Sequence, residues 1–218
     1  MSKKYAILLV FAVTTLIISS LYGFRCNNET NHMQSFNDND HLQAWKTIDS
    51  LEQRGLPKSA LEKVEELYIV VKKENNPAQS IKCILYRSKY ESQLQEDGLV
   101  KAMAKMEQEM ESASFPTKSL LQSILAEFYN NYLQQNRWKI QERTGTIDFE
   151  NKDIQTWTYD QFSEKIMGLY KASIESPELR NVKIKDFDAI TTTVKNTDLE
   201  RPTLFDFLAH RAIDYFMN

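Results

Sequence analysis

The 5 prolines in this chain, at positions 57, 77, 116, 177 and 202, all fall at or near expected helix starts. Proline lacks a backbone N–H and its φ is fixed near the helical value, so it fits the first turn of a helix and breaks the interior of one. The early helices cut out this way recur at about twenty residues. Only 5 glycines are present, while Leu, Lys, Glu, Gln, Ala and Met are frequent and 26% of residues are charged. That balance favours helices with short connections over a sandwich or barrel. The expectation is a nearly all-α protein.

Regular structure is expected from His41. Leu42, Trp45, Ile48 and Leu51 form a first amphipathic stretch that Gly55 closes. Behind Pro57, Leu61, Val64, Leu67, Tyr68 and Val71 share one face, and Asn75, Asn76 and Pro77 end that helix. Ile81, Ile84 and Leu85 mark the next, with Gly98 read as its stop. Leu99, Met103, Met106, Met110 and Ala113 then make a stripe, which reads as core packing rather than an adaptable groove. Behind Pro116 the apolar face from Leu120 to Leu133, including Ile124 and Phe128, is wide enough for a helix enclosed on two sides, expected to be central. Thr158 and Gln161 have capping-box spacing ahead of Phe162, Ile166, Leu169 and Tyr170. The stretch 176–200 is irregular, with a short helix at most around Phe187 and Ile190. The expected architecture is stacked antiparallel helix hairpins, as in tetratricopeptide-like arrays, although the consensus residues of that repeat are not visible.

Three segments are expected: 1–25 as a signal peptide or membrane anchor, 26–40 as a polar linker, and 41–218 as the helical domain. Lys3 and Lys4 precede an apolar run that is long for a cleaved signal core and about the length that spans a bilayer. In either form the positive amino end stays in the cytoplasm, so the rest is expected to be exported to the periplasm or cell envelope. Lipid attachment at Cys26 is a third form, disfavoured because Arg25 rather than a small residue precedes it. Without Lys3, Lys4 and Arg25 the formal charge of −3 becomes −6. An acidic chain of this kind is a poor nucleic-acid partner.

Catalytic patterns are not visible. His32, His41 and His210 lack metal-ligand spacing to each other or to Cys26 and Cys83, and Cys83 reads as a small core residue. The acidic groups Glu62, Glu65, Glu66 and Glu107, Glu109, Glu111 read as solvated helix faces. Trp138 and Trp157 flank a polar loop and are expected to pin it to the body. No catalytic, cofactor-binding or metal-ligating residue is assigned, and the expectation is a protein that is not an enzyme.

At the far end, "RPTLFDFLAHRAIDYFMN" is expected to place Pro202 at the first helical position, with Leu204, Phe207, Leu208, Ile213 and Phe216 on one apolar face that lacks a closing cap. In order along the chain, "WKTIDSLEQRGLPKSALEKVEELY", "QNRWKIQERT", "DIQTWTYDQF" and "RPTLFDFLAHRAIDYF" together resemble the amino-terminal helical region of the large alpha-2-macroglobulin family proteins of Bacteroidetes. The likeness spans most of residues 42–216. It implies a scaffold or anchor role in a protein resembling an endopeptidase inhibitor, with downstream domains of the same or a larger protein, and proteases, as partners. The family's thioester motif, Cys-x-Glu-Gln, matches neither cysteine here. The competing expectation is a free-standing helical-repeat protein of the cell envelope that binds a peptide or protein.

Overall fold

The structure is a computed structural model, and it describes residues 39–143, 153–191 and 201–217. All of them belong to the compact unit Phe36–Asn218. The leader and residues 26–38 of the polar linker, with Cys26 and His32, lie outside the described residues, as does most of the polar loop before Trp157.

Eight α-helices occur among the described residues: α1 Asn39–Gln53, α2 Pro57–Lys73, α3 Pro77–Leu94, α4 Gly98–Ser112, α5 Thr117–Gln135, α6 Arg137–Gln141, α7 Tyr159–Ser173 and α8 Leu204–Met217. Short 3-10 turns at Ile154–Thr156, Pro177–Asn181 and Ile184–Phe187 fill the connections. Successive helices pack as adjacent antiparallel pairs, with α5 touching α3, α4, α6, α7 and α8.

Local chemistry explains the turns. Gly55 takes φ +70°, and the Leu56 N–H reaches back to the Leu51 carbonyl at 3.0 Å, closing α1. Asn75 does the same for α2 at φ 53°, with the Asn76 N–H on the Val71 carbonyl at 3.1 Å. Pro57 and Pro77 open α2 and α3, and the Asn76 side chain caps α3 by accepting from the Gln79 N–H at 3.1 Å. Thr158 and Gln161 form the expected capping box on α7.

Several expectations need correction. Gly98 does not close α3 but opens α4, where a Cβ would lie 2.3 Å from the Glu91 carbonyl oxygen. Tertiary proximity, not chain reversal, demands glycine there. Pro202 precedes α8 rather than starting it. Thr203 is the cap, its hydroxyl accepting from the Asp206 N–H at 3.2 Å while Asp206 accepts from the Thr203 N–H at 3.0 Å.

The enclosed face of α5 is Leu120, Leu121, Leu125, Ala126, Tyr129 and Leu133, with Ser119 and Ser123 also buried. Ile124 and Phe128, expected in the centre, are half-buried at its margin. Leu42 faces solvent, because His41 takes the inward position beside α2. Residues 177–187 hold more order than their composition suggests: Leu179, Ile184 and Phe187 are buried, and an antiparallel bridge pairs Lys183 with Thr203. The Leu204 N–H donates to the Val182 carbonyl at 2.8 Å, which seats the start of α8.

Candidate functional site

A shallow, open cleft of about 430 Å³ lies between α2 and α4, floored by α3 and lined by Lys72, Arg87, Lys105, Gln108, Glu109 and Ser112. Helical spacing on α2 brings Tyr68 and Lys72 to its edge, and α3 offers Arg87 from below. Glu109 enters from α4 and accepts from the Tyr68 hydroxyl at 2.7 Å, from Arg87 Nη2 at 3.2 Å and from Lys72 Nζ at 3.4 Å. Arg87, its side chain only 10% exposed, also lies 3.9 Å from Glu65 and 5.0 Å from the centre of the Tyr68 ring. At the next turn of α3, buried Glu91 accepts from Lys105.

Burial pushes the Glu109 carboxyl up, but the Tyr68 hydroxyl, Arg87 and Lys72 outweigh it and hold the group below the ordinary carboxylate range. The Tyr68 phenol is driven up, first by burial and then by its bond to Glu109. Charges within the cleft are therefore paired across three helices, an arrangement that clamps helices and holds any entering ligand only by competing with Glu109.

This corrects the reading of the acidic groups as solvated faces at Glu65, Glu107 and Glu109. Glu109 ties α4 to α2 and α3. Glu107 accepts from the Tyr129 hydroxyl at 2.9 Å and pairs with Lys165 at 2.7 Å, tying α4 to α5 and α7. Glu65 turns toward Arg87, while Glu62, Glu66 and Glu111 remain exposed. The partners are tens of residues away in sequence, so no local pattern could have found them.

A second network joins α1 to α3. The Trp45 indole donates to Gln79 Oε1 at 2.7 Å, Tyr86 lies 4.9 Å from the Trp45 ring, and Lys82 sits 4.2 Å over that ring. Further along, Glu52 accepts from the Tyr90 hydroxyl at 2.7 Å and from Lys89. Cys83 is a free thiol inside this core, and burial pushes it up to about 12, far from a reactive thiolate. His41 is buried with Nε2 2.9 Å from Glu74. His210 is half-buried on α8.

The two tryptophans do not act as a pair. Trp157 stacks on Tyr129 at 5.7 Å and meets Phe162 edge-on at 5.2 Å. Trp138, expected to pin the loop, is 85% exposed on α6, where Ile140 takes the buried position instead.

On α8, Leu204, Leu208 and Ala212 face the array, and Arg211 donates to the Ser123 hydroxyl at 2.9 Å and pairs with Glu127. Tyr215 stacks on Tyr170 at 5.2 Å. Of the apolar face expected here, Ile213 and Phe216 are about half exposed, and Met217 beside them is 80% exposed. Among the described residues no three His, Cys, Asp or Glu side chains converge as a metal site, and no helix is long and apolar enough to cross a membrane. No known protein family, curated protein or solved structure matches the chain.

Proposed function

We propose that this chain is a non-catalytic helical scaffold of the cell envelope, a tetratricopeptide-like array that stands to its partner domains as the amino-terminal region of alpha-2-macroglobulin family proteins does. One observation carries the reading: α8 is sealed to the array by Leu204, Leu208 and Ala212 while Ile213, Phe216 and Met217 present an apolar surface outward. Adjacent exposed apolar side chains on an otherwise clamped body suit a protein–protein contact. The ion pairs support a structural role as well, since Glu109, Glu107 and Glu91 hold neighbouring helices together.

A photo-reactive side chain in place of Phe216 tests it in the native envelope. The expected product is a cross-link to a protein built of sandwich domains, lost when Ile213 is changed to Ser. Cross-linking no stronger than from exposed Glu62 would overturn the scaffold reading.

The cleft at Lys72, Arg87 and Lys105 favours a second reading, a free-standing array that binds an acidic peptide. It requires affinity for a poly-glutamate peptide that rises in Glu109→Gln, where the internal competitor is neutral. Equal, negligible binding by both proteins would dismiss it.

A further inference from the structure

Four large exposed apolar side chains gather around three connections at one end of the array. Because the helices pack as antiparallel neighbours, the α1–α2 turn, the α3–α4 turn and the α5–α7 connection share that end. Two contacts fix the alignment: Glu52, near the end of α1, holds Tyr90 near the end of α3, and Gln155 Nε2 donates to Asp97 Oδ1 at 3.4 Å across the two later connections. The exposed side chains there are Leu56, Leu94, Trp138 and Tyr159. The opposite end also exposes apolar side chains, Leu42, Ile69, Val70 and Phe115. Among the large exposed residues, however, Trp138 and Tyr159, each with an apolar ring and a polar edge, fall only at the first end.

Singly, such residues need no explanation. Their arrangement has one: separated apolar tips set among polar residues offer a protein partner no continuous hydrophobic core, but a fluid lipid surface accommodates each tip independently. Trp and Tyr favour the headgroup boundary, where the ring is apolar and its edge remains wet. Arg137 and Lys139 flank Trp138 and are exposed, while Glu96, Asp97 and Asp160 balance much of the positive charge at this end. Insertion, rather than net attraction, must then supply the binding.

We propose that this end of the array docks on a lipid bilayer, with Trp138 at the boundary between headgroups and acyl chains. The proposal rests on the reading that the chain is exported and held by its leader. Reach is sufficient: residues 26–38, ahead of α1, span at most about 45 Å when extended, and α1, of 15 residues, is about 22 Å long. The far end of α1 can therefore meet the bilayer that holds the leader.

The test uses the full chain reconstituted into phosphatidylcholine vesicles with brominated acyl chains, comparing wild type with Trp138→Phe so that the difference in emission isolates Trp138. The expected result is at least twofold quenching of that component, persisting at 0.5 M salt and reduced in Leu56→Ser/Leu94→Ser. Trp138 emitting as a water-exposed indole and remaining open to iodide overturns the proposal. So does a lipid-independent blue shift that grows with protein concentration, which would mean a second copy covers the ring, and so does quenching that appears only with anionic lipid and vanishes in salt. Alkaline carbonate extraction of the same vesicles reads the anchor separately: a chain that resists extraction while Trp138 stays in water keeps its leader reading and loses this one.

Discussion

The Glu91 carbonyl oxygen sits where the side chain of residue 98 would begin: a Cβ on Gly98 would lie 2.3 Å from it and 2.5 Å from the α-carbon of Ser92. Both obstacles are backbone, so α4 would have to move off α3. Gly98→Ala is expected to destabilise by about 2 kcal/mol or more, in the range of overpacked cores. Gly168, inside α7 with nothing within 4 Å of its Cβ position, gives the opposite expectation. Gly168→Ala should stabilise by about 0.5 to 1 kcal/mol through helix propensity alone. Urea denaturation of both variants checks the pair, and equal effects would mean that α4 does not approach α3 this closely.

Removing the charge of Glu109 leaves Arg87 buried beside the more distant Glu65. Glu109→Gln should cost about 1 to 3 kcal/mol, and a double-mutant cycle with Tyr68→Phe should show coupling above about 0.5 kcal/mol. Additivity would mean that the Tyr68 hydroxyl and Glu109 do not meet in solution.

The pH profile follows from the same groups. Glu109, and Glu52 through its bonds to Lys89 and Tyr90, titrate below their ordinary values in the fold. The unfolded chain binds their protons first, so their contribution is present above the unfolded carboxylate range, near pH 4 to 5, and is lost as pH falls below it. Burial raises Tyr68, Tyr90, Tyr129 and Cys83, so the fold resists their ionisation and stability declines as pH rises through the unfolded thiol and phenol range. Urea midpoints should be flat between about pH 6 and 8 and fall on both sides. A midpoint still rising at pH 11 would contradict the burial of these groups.

What the sequence made legible is what the backbone decides locally. Pro57, Pro77, Gly55 and the Thr158–Gln161 box act within a few residues of themselves, and each does what its spacing indicates. The enclosed side of α5 was harder to read because apolar residues surround much of that helix. Its orientation is settled by neighbours, with small Ser119 and Ser123 buried where other helices come close and Arg211 reaching Ser123 from 88 positions away. Leu125→Ala should therefore cost about 2 to 5 kcal/mol and Phe128→Ala clearly less. Gly98 and Glu109 escaped a local reading for the same reason, since their roles are defined by α3. Trp138 flanks the polar loop in sequence and so reads as pinning it, and only the placement of α6, with Ile140 turned inward, shows its ring facing outward.

The account turns on α8 having one face committed to the array and another left open. Equilibrium unfolding of Leu208→Ala and Phe216→Ser, measured side by side, decides it. Leu208 is fully buried and Phe216 is 49% exposed, so the expected losses are about 2 to 4 kcal/mol for the first and about 0.5 kcal/mol or less for the second. A core-sized loss from Phe216→Ser would show that this face is already sealed within the fold, and the surface proposed to meet a partner would not exist.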